Sequence, residues 1–193
     1  MFYKVIKSVA GFFIKLFFKF DVEGLENLPE DGRLMVCPNH ISNWDPIVIS
    51  IVVPRQIFWM GKYELFKNKV LGWFLSNLGV FPVKRGEIDV TAVKTALKLL
   101  KNEKILGLFP EGTRVKGYDI ENAKPGASLI SLKTDTLIVP VYIESDYKFR
   151  SSLKIKFGNP KDYGAHLDGK PSQKDHQEIS KELLNDIYSL KNN

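Results

Sequence analysis

The chain of 193 residues has a single cysteine, Cys37. That excludes an intrachain disulfide and fits a reducing compartment. It also has no G-x-S-x-G elbow, no phosphate-cradling G-x-x-x-x-G-K-[ST] loop and no G-x-G-x-x-G turn. Serine hydrolase, nucleotidase and dinucleotide-binding readings therefore lack their usual sequence support. Histidine, cysteine and acidic residues nowhere cluster at metal-ligand spacing, so neither a metal nor a cofactor is expected. Acid is missing from the first twenty residues altogether. The longest uncharged stretch of that segment, Ser8 to Ile14, falls far short of the ~20 residues that cross a bilayer. Lys15 and Lys19 interrupt it, and no small-x-small site follows, so it is not a signal peptide either. Internal repeats and low-complexity tracts are absent.

With 44% hydrophobic and 26% charged residues, the composition is that of a globular protein with a sizeable core. The net charge of +6 is unevenly spread. Lys4, Lys7, Lys15 and Lys19 share the first twenty residues with seven aromatics. At 100° per residue the lysines, Ser8 and Gly11 fall on one arc. Phe2, Val5, Ile6, Val9, Phe13, Leu16, Phe17 and Phe20 lie opposite, with Phe18 as an exception among the lysines. This pattern predicts an amphipathic helix lying on an anionic membrane surface, its lysines reaching the phosphates. A basic segment this rich in phenylalanine speaks against nucleic-acid binding.

Gly24, Pro29 and Asp31-Gly32 mark a polar connection after Phe20. Strands are expected at 33–37, 57–60, 80–83, 105–109, 137–143 and 153–157. Helices are expected at 46–53, over 63–78 with a break near Gly72, at 89–101, and at 174–190. In 89–101 the stripe Val90, Val93, Leu97, Leu100 faces in, and Lys94, Lys98 and Lys101 face out. Alternating strands and helices predict an α/β sandwich, a single domain with a largely parallel or mixed sheet flanked by helices.

Two segments carry chemistry. Pro38-Asn39-His40-Ile41-Ser42-Asn43-Trp44-Asp45 follows the first core strand, and Phe109-Pro110-Glu111-Gly112-Thr113-Arg114 follows a later one. Both then sit just past the carboxyl ends of strands, where open α/β sheets place ligands. A histidine oriented by a carboxylate can take a proton from an alcohol near neutral pH. His40 is the candidate base and Asp45 its orienting partner; Asp45 or Asn43 is also available to cap the next helix. Cys37 reads as a packed strand residue rather than a nucleophile. Asn39 and Ser42 read as turn residues, and His166 and His176 as solvated surface groups. Lys84-Arg85-Gly86 suits a phosphate monoester, because a guanidinium offers paired donors and glycine lets the backbone approach. Glu111 is placed to accept a hydrogen bond from an acceptor hydroxyl, and the Gly112 and Thr113 amides to meet an oxyanion. Arg114 has two candidate roles, pairing with Glu111 or binding phosphate.

Asn-His-x4-Asp followed by Phe-Pro-Glu-Gly-Thr-Arg resembles the bacterial glycerolipid acyltransferases, specifically those acting on 1-acylglycerol 3-phosphate. Val80-Phe81-Pro82-Val83-Lys84-Arg85-Gly86, Lys124-Pro125-Gly126-Ala127 and Ile138-Val139-Pro140-Val141 agree in order and spacing. The resemblance spans roughly Leu25 to Gly158. It implies a fatty acyl transfer from a thioester of acyl carrier protein or coenzyme A to the 2-hydroxyl of 1-acylglycerol 3-phosphate, forming phosphatidate. It gives His40 and Asp45 the roles stated above, makes Arg85 the principal phosphate contact with Lys84 beside it, and puts 139–141 along the acyl chain. Residues 1–20 would then be the membrane-association segment and 21–193 the acyltransferase domain. The enzyme would be peripheral on the cytoplasmic face of the cell membrane. The same chemistry on another acceptor (a different lysophospholipid, an ornithine-type lipid or glycerol 3-phosphate) is the nearest alternative, and a non-catalytic membrane-binding module the next.

Overall fold

Leu34, Met35, Val36 and Cys37 are all fully buried, as a strand must be when both faces of its sheet are covered. In the computed structural model, which describes residues 2–84, 86 and 89–192, this is β2 (Leu34–Pro38), near the middle of a seven-stranded sheet. The other strands are β1 (Lys19–Glu23), β3 (Ile57–Lys62), β4 (Val80–Val83), β5 (Ile105–Gly107), β6 (Ile138–Glu144) and β7 (Ser152–Phe157). Their order is β1-β7-β6-β2-β5-β3-β4, and every neighbouring pair is parallel except β6 with β7. The expected mixed-sheet α/β domain is what forms.

Period-two alternation divides the core. Leu34 and Val36 face one layer, made by α1 (Phe2–Phe17) and α2 (Asp45–Val52). Met35 and Cys37 face the other, where α4 (Val90–Lys101), α5 (Gly126–Thr134) and α6 (Gln173–Ser189) pack. A shorter α3 (Lys69–Asn77) precedes β4. Asp89 caps α4 by accepting from the Thr91 and Ala92 amides, and a Ser172–Asp175 capping box starts α6.

Several local expectations change. The supposed polar connection after Phe20 begins as strand, since β1 pairs with β7 from Lys19↔Ser152 to Glu23↔Lys156. Its charges alternate outward from Phe20 and Val22, the pattern of an edge strand. The break in 63–78 comes earlier than Gly72: a 3-10 turn, Tyr63–Phe66, ends before Asn68 caps α3. Gly72 lies inside that helix, against the Phe66 backbone. Strand β5 stops at Gly107, two residues short of the expected Phe109. Helix α5 has no sequence signature, because Ala127, Ser128, Ile130, Ser131 and Thr134 bury it nearly all round. Its hydroxyls are absorbed locally, Thr134 Oγ1 donating to Ile130 O at 2.8 Å. His176, expected at the surface, is half-buried at the start of α6, and its Nδ1 has no partner among the described residues; His166 is exposed as expected.

Helix α1 has three faces rather than two. Tyr3, Ile6, Ala10, Gly11 and Ile14 turn toward the protein, Gly11 letting α2 approach at Ile51. Lys7 also turns inward and donates to the carbonyls of Val53 and Pro54 at the end of α2, a cation at a helix C-terminus instead of a lysine reaching for lipid. Phe18 is no exception among lysines: the helix ends at Phe17, and Phe18 is buried. Val5, Val9, Phe12, Phe13, Leu16 and Phe17 are left exposed on the outer face, with Lys4 and Lys15 along one flank. Among the described residues no helix is long and apolar enough to cross a membrane.

Gly107 of β5 packs closely on an indole: an added Cβ would lie 2.4 Å from Trp59 Cε3. Gly107→Ala should therefore destabilise by about 1–3 kcal/mol through overpacking. For a chain of this size that lowers Tm by roughly 2–10 °C in thermal unfolding. An unchanged Tm would show that the indole has room to shift.

Candidate active site

The loop between β2 and α2 carries His40, and the first residue of α2 is Asp45. Asp45 does not cap its helix; the N-cap position falls to Trp44, without a side-chain hydrogen bond. Its carboxylate turns back instead. Oδ2 accepts from His40 Nδ1 at 2.8 Å and from the amides of Ile41 and Ser42, each at 2.7 Å. Oδ1 accepts from the Tyr147 hydroxyl at 2.6 Å. Asp45 is 0% exposed, so these four donors replace the water it has lost. Because a carboxylate only accepts, the Nδ1 it meets carries the proton. Nε2 of the neutral ring is then the basic nitrogen, and it has no hydrogen-bond partner among the described residues.

The ring angle is set by stacking. His40 lies on Phe109 with centroids 3.9 Å apart and planes 20° apart. Phe109 in turn lies on Trp59 at 5.1 Å and 19°. Trp59 Nε1 donates to Ser50 Oγ at 2.9 Å, which ties the stack to α2.

The second motif braces the first from behind. Glu111 Oε2 accepts from the His40 amide at 2.7 Å, and the Val115 amide donates to His40 O at 2.8 Å. Glu111 Oε1 accepts from Tyr188 OH on α6 at 2.8 Å. Glu111, expected to meet an acceptor hydroxyl, is 1% exposed and has both oxygens engaged inside the protein. Burial pushes its carboxyl up to about 7, against the Tyr188 and His40 hydrogen bonds that favour the anion and with Asp45 adding repulsion. Asn39 is a clamp, donating to Ile143 O at 3.0 Å and accepting from Ile143 N at 2.7 Å. Ser42 serves the turn, its Oγ accepting from the Trp44 amide at 3.3 Å. Cys37 is fully buried, which drives its thiol far above the ordinary range and excludes a thiolate nucleophile.

The remaining candidates lie further out. Gly112 occupies the left-handed region, φ 68°, and its amide donates to Phe109 O at 3.0 Å. That amide is engaged and cannot meet an oxyanion without first releasing Phe109. Thr113 and Arg114 are exposed, and among the described residues Arg114 forms no ion pair with Glu111, whose oxygens meet the His40 amide and the Tyr188 hydroxyl. Lys84 follows β4 at the same carboxyl edge of the parallel strands, exposed, with Nζ 5.6 Å from the Tyr63 ring centroid. Arg85 lies outside the described residues. Val139 and Val141 are buried core on the α1–α2 side. Beside the loop, a cavity of about 390 Å³ opens between Asn39, Ile41, Tyr118, Tyr142 and Tyr188, with Lys116 and Lys191 on its lining.

The structure brings together His40, Asp45 and Glu111, all three singled out from the sequence. Sequence reasoning missed the parts played by Tyr147, Tyr188, Phe109 and Trp59, which reach the loop from a distant turn, the last helix, the segment after β5 and the middle of β3.

Residues 19–144 match the sequence profile of the acyltransferase family. A 1-acyl-sn-glycerol-3-phosphate acyltransferase of Bacillus subtilis is 33% identical over 98% of this chain and 93% of its own length. The enzyme of the same name from Streptococcus pneumoniae is 31% identical over 69% of this chain, which spans 51% of it. The crystal structure of the 1-acyl-sn-glycerophosphate acyltransferase PlsC of Thermotoga maritima superposes with a TM-score of 0.74 at 27% identity, over 99% of this chain and 80% of that one.

The buried Glu111 makes stability pH-dependent. Between its ordinary 4.5 and its folded value near 7, the unfolded chain releases this proton while the native state keeps it. Stability from this group therefore falls as pH rises through that window, by up to about 3 kcal/mol. Glu111→Gln removes the ionisation. In urea unfolding its stability relative to wild type should improve by roughly 2–3 kcal/mol from pH 5 to pH 8. A flat difference would mean that the carboxyl titrates as it does in water.

Proposed function

The chain belongs to the acyltransferase family, and we propose that it moves a fatty acyl group from a thioester donor to the 2-hydroxyl of 1-acylglycerol 3-phosphate, giving phosphatidate. The donor is the thioester of acyl carrier protein or coenzyme A. The observation that carries this reading is the His40–Asp45 pair, 2.8 Å apart, with the imidazole's second nitrogen unpartnered among the described residues.

An alcohol is a weak nucleophile, and its proton must leave as the new carbon–oxygen bond forms. His40 Nε2 takes that proton while the acceptor oxygen adds to the thioester carbonyl. Asp45 stabilises the imidazolium so formed without itself accepting the proton. The tetrahedral intermediate then collapses, the carbon–sulfur bond breaks, and the thiolate leaves. A thiolate is tolerable near neutral pH, and the imidazolium returns its proton to that sulfur or to water. No covalent acyl-enzyme is required, in keeping with the inert Cys37. Of the two amides expected at the oxyanion, Thr113's is the remaining candidate, since Gly112's is held by Phe109.

Recognition of the acceptor phosphate falls to Arg85 and Lys84, and Arg114 is a third cation, at the same carboxyl edge of the sheet as Lys84. The acceptor is a lipid, and the exposed apolar face of α1 suits a membrane surface, with Lys4 and Lys15 at its flank for anionic headgroups. We place the enzyme peripherally on the cytoplasmic face, where thioester donors are made.

His40→Ala should lower turnover by at least about 10²–10⁴-fold, in a protein that still folds and binds vesicles but melts at a lower temperature for want of the Asp45 bond and the Phe109 stack. Turnover close to wild type would remove His40 from the chemistry. Arg85→Ala should chiefly raise KM for the phosphorylated acceptor, by roughly 10-fold or more for a lost charge-assisted contact. Steady-state kinetics that show KM unmoved would put the phosphate elsewhere.

A further inference from the structure

The hydroxyl of Tyr147 is the only donor to Asp45 that comes from outside the His40–Asp45 segment among the described residues. We propose that Tyr147 is a positioning residue for the acyl transfer: its hydroxyl fixes the Asp45 carboxylate, and through it the tautomer and angle of the His40 ring. This rests on the reading of His40 as the base.

Three observations support it. Asp45 is 0% exposed, and Oδ2 already serves three donors. Without the 2.6 Å bond from Tyr147, Oδ1 would be a buried anionic oxygen with no partner. A buried carboxylate in that state leans harder on the donors it keeps, so the angle and the proton affinity of the His40 ring both change.

Tyr147 also holds a backbone conformation that a bulky residue rarely adopts, φ 53°. The turn around it is tied down on both sides. Its amide donates to Ser145 Oγ at 3.1 Å, and the Arg150 amide donates to Phe17 O at 2.6 Å. The ring stands edge-on to buried Phe18, centroids 5.6 Å apart. Such strain persists where the surroundings over-determine it, and here it delivers one hydroxyl to one oxygen.

The hydroxyl is a permanent donor. Burial and the Asp45 charge push the phenol well above its ordinary value, so it does not ionise in the working range. The other ionisable groups near the pair are His40 itself and Glu111, which sits behind the His40 amide. Asp146 and Lys148 flank Tyr147 but pair with each other at the surface, 3.4 Å apart.

Tyr147→Phe keeps the ring against Phe18 and deletes only the hydroxyl. In the full-length enzyme on mixed vesicles, kcat should fall by about 10-fold, the worth of one charge-assisted hydrogen bond, with KM for both substrates little changed. A carboxylate that has lost a donor holds the imidazolium more tightly. The acid limb of the kcat/KM profile should therefore move to higher pH by roughly half a unit or more. Side-chain nitrogen NMR of His40, recorded without substrate, should show the same upward move of its titration. An acid limb and kcat at wild-type values would overturn the proposal. So would a fall in kcat accompanied by a lower Tm and an unmoved limb, since that is the signature of packing alone. If wild type transfers no acyl group to any lysophospholipid, the functional reading fails, while the NMR titration still decides whether Tyr147 sets the state of His40.

Discussion

One buried carboxylate organises the site. Asp45 has no access to water, and an anion in that position is tolerable only when donors surround it. The donors it recruits are the His40 imidazole, two amides of the connecting loop and one phenol. Each bond therefore does two things. It satisfies the charge, and it fixes an atom whose place matters to the proposed proton transfer. Because the amides belong to Ile41 and Ser42, the loop cannot change shape without exposing the same oxygen that orients His40.

The imidazole is held on three sides by interactions of different kinds. Asp45 sets its tautomer, the Phe109–Trp59 stack sets its plane, and Glu111 with Val115 sets its backbone. Two of these supports come from the segment after β5, the strand beside β2 in the sheet. That adjacency brings two motifs some seventy residues apart into hydrogen-bond contact. Preorganisation of this sort removes reorientation from the barrier, which is where a lone base on a mobile loop would lose most of its effect.

Helix α1 is joined to this arrangement through packing rather than through the sheet's centre. Its inner face lies on α2, Lys7 holds the end of α2, and Phe18 just beyond its last turn meets Tyr147. The outer face, with Phe17 against exposed Phe149, remains apolar and open. Exposed apolar side chains beside lysines are what the proposed attachment to an anionic membrane would use. The proposed lipid substrate would then be met by the same side of the molecule that supports Asp45.

Much was readable in the order of residues. The unbroken apolar run Leu34 to Cys37 announced a strand buried on both faces, whereas on α4 the buried side chains are Ala92, Ala96 and Leu100, and Val90 of the expected stripe is exposed. His40 and Asp45 are five residues apart, so a single turn suffices to join them, and the motif disclosed the pair. Glu111 was recognised as part of the site but given the wrong partner, since only the neighbouring of β2 and β5 turns its oxygens toward the His40 amide. Helix α5 was invisible because burial on all sides erases periodicity, and β1 because alternating charge on an edge strand looks like a connection. Tyr147 and Tyr188 lie 102 and 77 residues from the carboxylates they bond. Nothing local distinguishes them from other tyrosines. Sequence by itself determined which groups could perform the chemistry, because reactivity belongs to residue types and short spacings. Tertiary structure alone decided which donors surround each buried charge, because desolvation is a property of the assembled fold.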